Sequence, residues 1–234
     1  MAPLALVTGA AHRLGKVFAL ALARQGFDIA LHYHQSSDEA LQTQAEIESL
    51  GSRVILSQAD LTDPSQIYSL ASHLQSLHLL VNSAAFMPSG NVDALTLENW
   101  DTTLDLNLRA PFLLAQECAK KMTDGGLIVN ITDVGAQKAW SRYPSYTVSK
   151  AALESLTRIL ARAFAPKIRV NAIAPGFVLQ SDIVPDEEWQ RLIKRIPLQR
   201  PAQTEELASA LEFLWKNEYI TGQTIVVDGG YSLI

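Results

Sequence analysis

The sequence is poor in cysteine, in positive charge and in long apolar runs. One cysteine among 234 residues cannot form an internal disulfide. Cys118 lies in a stretch with helical spacing, which suits packing in a reducing compartment better than nucleophilic attack. A net charge of -5 offers no electrostatic match to a polyanion, which argues against nucleic acid as a partner. No apolar run reaches membrane-spanning length, and the chain enters an apolar segment at Leu4–Val7 without a basic leader. The expectation is a cytoplasmic protein with no membrane segment. Charged residues make up only 18% against 48% hydrophobic, too apolar a balance for disorder and enough for one buried core. There is no internal repeat or low-complexity tract, and no metal ion is expected.

What is present is an alternation of two hydrophobic periods. Short apolar runs recur at Leu4–Val7, Ile29–Tyr33, Val54–Leu56, Leu79–Asn82, Leu127–Ile131, Ile168–Ala174 and Thr224–Val227. Between them, three- and four-residue spacing predicts helices over Leu14–Gln25, Ser37–Leu50, Pro64–Leu77, Trp100–Met122, Tyr146–Phe164 and Thr204–Trp215. Strand and helix in alternation predict one α/β domain, residues 1–234. It is a Rossmann-like, doubly wound sheet of about seven mostly parallel strands flanked by helices, with ligands beyond the strands' carboxyl ends. Pro185, Pro197 and Pro201 break the rhythm between Phe177 and Ala202, which reads as a substrate loop carrying a short helix near Glu187–Lys194.

The first strand-to-helix turn, Thr8-Gly9-Ala10-Ala11-His12-Arg13-Leu14-Gly15, has glycines where a backbone must approach a pyrophosphate at a helix N-terminus. Such turns bind dinucleotides. An NAD-specific site would place an acid at the end of the second strand, on the ribose 2′-hydroxyl. The run His32-Tyr33-His34-Gln35-Ser36-Ser37 has none. Arg13, His34, Ser36 and Ser37 instead supply a cation and donors suited to a 2′-phosphate, hence NADPH/NADP, although the serines can also cap the next helix. Asp60, before Leu61, can accept from an adenine amino group or cap the helix after Pro64. Asn82-Ser83-Ala84-Ala85 is small enough for a flat ring to pass closely.

Tyr146 and Lys150 stand four residues apart on one helix face. A phenol near pH 10 is a poor acid or base at neutrality, but a neighbouring ammonium favours phenolate and makes the pair a tunable proton donor. Together with Thr8-Gly9 and Gly15, Asn82-Ser83-Ala84-Ala85, Asn107 and Pro175-Gly176, the pair resembles the ordered motif set of the short-chain dehydrogenase/reductase family along essentially the whole chain. The resemblance implies that Tyr146 is the general acid and that Lys150 binds the nicotinamide ribose and lowers the tyrosine pKa. It further implies that Asn107 holds a water, that Pro175, Gly176 and Val178 face the carboxamide, and that the protein is a homotetramer built through the Trp100–Met122 and Tyr146–Phe164 helices.

One position departs from the family. Thirteen residues before the tyrosine, where members typically carry a serine that donates to a substrate carbonyl, stands Asp133. An ionised carboxylate cannot donate and would repel a developing alkoxide. It suits a heterocycle whose N–H groups donate to it. Asp133 at this place, the Arg13-Leu14-Gly15 and His32-Tyr33-His34-x-Ser36 segments and the ending Asp228-Gly229-Gly230-Tyr231 are similar to pteridine reductases and short-chain dihydromonapterin or dihydrofolate reductases. That similarity implies reduction of a C=N bond in a small-molecule pteridine, with Arg13 contacting both phosphates and pterin and Phe86 or Met87 stacking on the ring. Gln35 stands where such enzymes often carry an arginine. The alternatives are a carbonyl reductase of 3-oxoacyl type, with Thr132 or Ser145 supplying the hydroxyl, and a non-catalytic NADP-binding regulatory protein.

Overall fold

Strands buried on both faces need apolar side chains pointing both ways, so they read as continuous rather than alternating runs. In a computed structural model, which describes residues 2–138, 140–181 and 184–234, the seven apolar runs become strands of one sheet. They are β1 (Leu4–Val7), β2 (Asp28–Tyr33), β3 (Val54–Gln58), β4 (Leu77–Asn82), β5 (Met122–Ile131), β6 (Ile168–Pro175) and β7 (Thr224–Val227). Their order is β3-β2-β1-β4-β5-β6-β7 and every pairing is parallel. All carboxyl ends therefore lie along one edge, and the winding reverses between β1 and β4.

Alternate residues of the strands feed two cores. Val7, Leu31, Val81 and Val129 pack with Phe18 and Leu22 of α1 (Arg13–Arg24), Ile47 of α2 (Ser37–Ser49) and Leu207 and Leu211 of α8 (Thr204–Lys216). Their neighbours Leu6, Leu80, Ile128 and Val170 face the other way. They meet Ile67 of α3 (Pro64–Ser72), Leu114 of α5 (Ala110–Ala119) and Leu160 of α6 (Pro144–Phe164). A third, small cluster joins Val134, Ile193, Ile196 and Tyr231 to Trp140, Phe177 and Trp189, so the proline-broken segment is a packed wall around α7 (Asp186–Ile193). Within that segment, Asp182 and Ile183 lie outside the described residues.

Three sequence boundaries are corrected. The third helix stops at Ser72 instead of reaching Leu77, because Leu77 already pairs with Met122 as β4 begins. Met122 correspondingly belongs to β5 rather than to the preceding helix, and Gly125, at a φ of 85°, permits the bend that follows. The expected Trp100–Met122 helix is instead α4 (Leu97–Leu104) and α5 joined by a π-turn over Asp105–Arg109. One residue more than an α-turn there re-aims the side chains that follow it.

Candidate active site

The cofactor turn is drawn tight between β1 and α1. Gly9 has a φ of 63°, and a Cβ on it would stand 3.0 Å from Ala84 Cα; a Cβ on Gly15 would lie 2.1 Å from the Gly9 carbonyl oxygen. Only glycine fits either place, leaving a cradle free of side chains at the start of a helix. Thr8 fixes the far wall: its Oγ1 accepts from the Ser83 and Ala84 amides at 2.9 and 3.0 Å. Asn82 turns inward, its amide donating to Asn130 Oδ1 at 2.8 Å.

The residues expected around a 2′-phosphate are only partly brought together. His34 Nε2 lies 4.0 Å from Asp60 Oδ2 at the ends of β2 and β3. Ser36 occupies the N-cap position of α2, yet its hydroxyl makes no cap bond. Asp60 folds onto itself, accepting from the Thr62 amide and hydroxyl at 2.9 and 2.7 Å; the cap of α3 is Asp63, not Asp60. Leu61 is buried, so only its backbone is open to a ligand. Arg13 departs from expectation. At a φ of 51°, unusual for a residue with a side chain, its guanidinium donates to the Leu179 and Gln180 carbonyls at 3.0 and 3.3 Å. It holds the loop after β6 rather than joining His34 and Ser36. In that loop Val178 packs against the core, and Gly176 lets the end of β6 approach Asp228, whose Cα a Cβ there would meet at 2.8 Å.

At the ends of β5 and α6 the proton-handling groups converge. Tyr146 Oη donates to Asp133 Oδ2 at 2.9 Å, while Asp133 Oδ1 accepts from the Gly135 amide at 2.7 Å. Lys150 Nζ donates to the Ile131 carbonyl at 2.7 Å and lies 5.5 Å from the Tyr146 ring centroid. Burial pushes the Asp133 carboxyl up to about 6, against the lowering pull of the Gly135 amide, the Tyr146 hydroxyl and Lys150. Burial and the adjacent Asp133 charge hold the Tyr146 phenol well above its usual range, the reverse of the expected downward tuning by Lys150. Lys150 itself is brought down to about 8 by burial, with Asp133 opposing. Tyr146 is thus held as a phenol aimed at a carboxylate.

The π-turn carries Asn107 to this place. Its Oδ1 accepts from the Phe86 amide at 2.8 Å, and its Nδ2 donates to the Phe86 carbonyl at 2.9 Å and to Ser149 Oγ at 3.0 Å. Ser149 in turn donates to the Tyr146 carbonyl at 2.7 Å. The loop after β4 is thereby tied to the helix of Tyr146, with Phe86 and Met87 on it partly exposed. The two hydroxyls considered as substitutes for a serine are engaged elsewhere: Thr132 donates to the Ile173 carbonyl at 3.2 Å, and Ser145 pairs with Thr103 at 3.1 Å. Ser149 in this network, and His32 in β2, whose ring meets the Gly9 amide and the Ala59 carbonyl, were not singled out for such roles by sequence. A polar side chain inside the apolar β2 run was the available signal for His32. Among the described residues no group of three His, Cys, Asp or Glu is placed to hold a metal, and no helix is long and apolar enough to cross a membrane.

Comparison with known proteins adds four findings. A family profile described as enoyl-(acyl carrier protein) reductase matches residues 9–232. A 3-oxoacyl-[acyl-carrier-protein] reductase of Synechocystis sp. is 35% identical, with 98% of this chain and 96% of that protein covered. The NADP complex of the FolM alternative dihydrofolate reductase 1 from Brucella canis superposes with a TM-score of 0.93 at 38% identity, covering 99% of this chain and 94% of that one. The angucycline C-6 ketoreductase LanV with bound NADP gives a TM-score of 0.94 at 30% identity, covering 99% and 96%.

Proposed function

This chain belongs to the short-chain dehydrogenase/reductase family, and on that premise we propose that it is an NADPH-dependent reductase of a pteridine C=N bond. The observation that carries the reading is the Tyr146–Asp133 hydrogen bond: the carboxylate stands where a ketone reductase needs a donor. The likeness to the FolM reductase supports it.

The cradle fits the cofactor. Gly9 and Gly15 leave no side chain in the way of a pyrophosphate, and no acid at the end of β2 opposes a 2′-phosphate. Backbone amides of the Thr8–Gly15 turn, Leu14 included, would hold the pyrophosphate. His34 and the free Ser36 hydroxyl would meet the 2′-phosphate, and Asp60 and Leu61 the adenine. Ser83, Ala84, Pro175, Gly176 and Val178 would frame the nicotinamide half, and Lys150 would reach its ribose. When bound, NADPH supplies the hydride. Asp133, ionised near neutrality, accepts from the N–H groups of the pteridine and orients the ring. Tyr146, kept protonated by burial and by Asp133, delivers its proton to the ring nitrogen of the C=N bond. The Lys150 ammonium stabilises the phenolate left behind, and Asn107, locked by Phe86 and Ser149, fixes the relay behind the tyrosine. Phe86 is the better stacking partner, Met87 the looser one.

A second reading, reduction of a 3-oxoacyl or other ketone, is favoured by the Synechocystis relative and by the ketoreductase neighbour. In it Asp133 must be protonated to donate. Initial rates of NADPH consumption with a dihydropterin and with an acetoacetyl thioester separate the two: turnover of the thioester alone overturns the pteridine reading. NADPH binding without turnover of either would favour a regulatory role. The exposed Phe112 of α5 and Val148 and Ile159 of α6 support assembly as a homotetramer, to be measured by light scattering.

A further inference from the structure

His32 is an anomaly in β2. It is 2% exposed, follows the apolar run Ile29–Leu31, and uses both of its ring nitrogens. Nδ1 receives the Gly9 amide at 3.1 Å, so it must be unprotonated, and Nε2 stands 3.0 Å from the Ala59 carbonyl, which only an Nε2–H can satisfy. One neutral tautomer answers both partners, and burial favours the neutral ring, holding its pKa at about 4. The partners are not equivalent backbone sites. Gly9 is the positive-φ residue of the cofactor turn, and its amide donates to the ring; Ala59 is the last residue before Asp60. Backbone bonds reinforce the same junction, from Ala10 N to the His32 carbonyl at 2.8 Å and from Ala59 N to the Tyr33 carbonyl at 3.1 Å. Among the described residues, the imidazole is the single side chain hydrogen-bonded to the carboxyl ends of both β1 and β3, which border the strand that leads to His34 and Ser36.

We infer that His32 is a positioning residue for the adenosine half of the cofactor: it clamps the Gly9 turn and the Ala59–Leu61 end of β3 at the separation that a nucleoside 2′-phosphate with its pyrophosphate requires. The inference rests on the NADPH reading and makes no contact of its own with the ligand. The ring's hydrogen bonds go to Gly9 and Ala59, and none goes to Asp133, Tyr146 or Lys150, so its effect falls on one half of the site.

The test uses the intact protein, adenosine 2′,5′-bisphosphate as a probe of the adenosine half, and two variants. His32→Leu removes both bonds at similar volume. His32→Asn keeps an oxygen able to accept from Gly9 but does not reach Ala59. By calorimetry, H32L is expected to weaken the bisphosphate and NADPH alike by about tenfold or more, the effect of losing both hydrogen bonds, with kcat at saturating NADPH within about twofold of wild type. H32N, which keeps the Gly9 end and loses the Ala59 end, is expected to bind both ligands more tightly than H32L and more weakly than wild type. If H32L binds both ligands like wild type, or if folded H32N does so with the Ala59 bond gone, His32 does not act as a two-ended clamp and the inference is overturned. Nitrogen NMR on the wild type does not depend on either variant folding. The His32 ring should show the Nε2–H tautomer and shift on addition of the bisphosphate; the other tautomer, or no shift, would also overturn it. Failure of the wild type to bind the bisphosphate at all would instead count against the NADPH reading.

Discussion

Replacing Asp133 by asparagine is the most discriminating change available, because it alters charge with almost no change in shape. The carboxyl of Asp133 titrates at about 6 in the fold against 3.8 for the free side chain. A carboxyl whose folded pKa is raised is bound more tightly by protons in the native state, so its cost to stability is absent below the unfolded pKa. That cost grows as pH rises and is complete above about 6. Taking the two values with about 1.4 kcal/mol per pH unit, the ionised carboxylate costs on the order of 3 kcal/mol at pH 7.5. Asp133→Asn should therefore melt several degrees higher than wild type at pH 7.5 and no higher at pH 4. The amide oxygen inherits the bond from Gly135, which turns the NH2 group toward Tyr146 and the substrate. An acceptor is thereby replaced by a donor. Loss of a charge-assisted hydrogen bond, about 1.5–3 kcal/mol, lowers kcat/KM for the dihydropterin by roughly ten- to hundredfold. NADPH affinity should stay within about twofold, since neither hydrogen-bond partner of Asp133 lies in the cofactor turn. Calorimetry, melting curves at both pH values and initial rates read all three. The reasoning is refuted if D133N leaves pterin turnover intact, or weakens NADPH and pterin equally.

Tyr146→Phe should lower kcat by about a hundredfold or more while NADPH still binds, the usual loss on deleting a general acid; an active Y146F would assign the proton to another group. The pH profile of kcat/KM should be bell-shaped, falling below about 6 as Asp133 protonates and above about 8 as Lys150 loses its proton, with apparent values belonging to the coupled set. A rate that instead climbs below pH 6 would favour a protonated Asp133 donating to a ketone. Gly15→Ala should abolish NADPH binding and destabilise α1, because the added methyl would stand 2.1 Å from the Gly9 carbonyl oxygen; a folded, NADPH-binding variant would show that the turn can open. Arg13→Ala should speed proteolytic cleavage between Phe177 and Ser181, and unchanged cleavage would deny it the tether to the Leu179 and Gln180 carbonyls.

The sheet was legible because strands buried on both faces advertise themselves as unbroken apolar runs, and β1 and β7 lie at the bounds their residues suggest. The start of β5 was not. Thr123, Asp124, Gly125 and Gly126 separate Met122 from the apolar run, and only pairing across the sheet decides that Met122 belongs opposite Leu77. Tyr146 and Lys150 were legible through their spacing, and Asp133 through its departure from the serine expected there. What escaped were partners distant in sequence. Nothing local tells that the guanidinium of Arg13 ends on carbonyls 166 and 167 residues away, or that a histidine in β2 closes on Gly9 and Ala59. Asp60 and Asp63 are equally good caps by type; backbone geometry alone chose Asp63.

The π-turn at Asp105–Arg109 sets the site's register at a cost in helix stability. A π-turn is one residue wider than the α-turn it replaces, so it shifts the register of the side chains that follow it. Deleting one residue there would restore regular hydrogen bonding, and the segment from α4 to α5 would become the more stable helix. The same deletion would rotate everything on one side by about 100° and swing Asn107 off Phe86 and Ser149. The wider turn thus trades regular helical hydrogen bonding for the register that places Asn107 between Phe86 and Ser149.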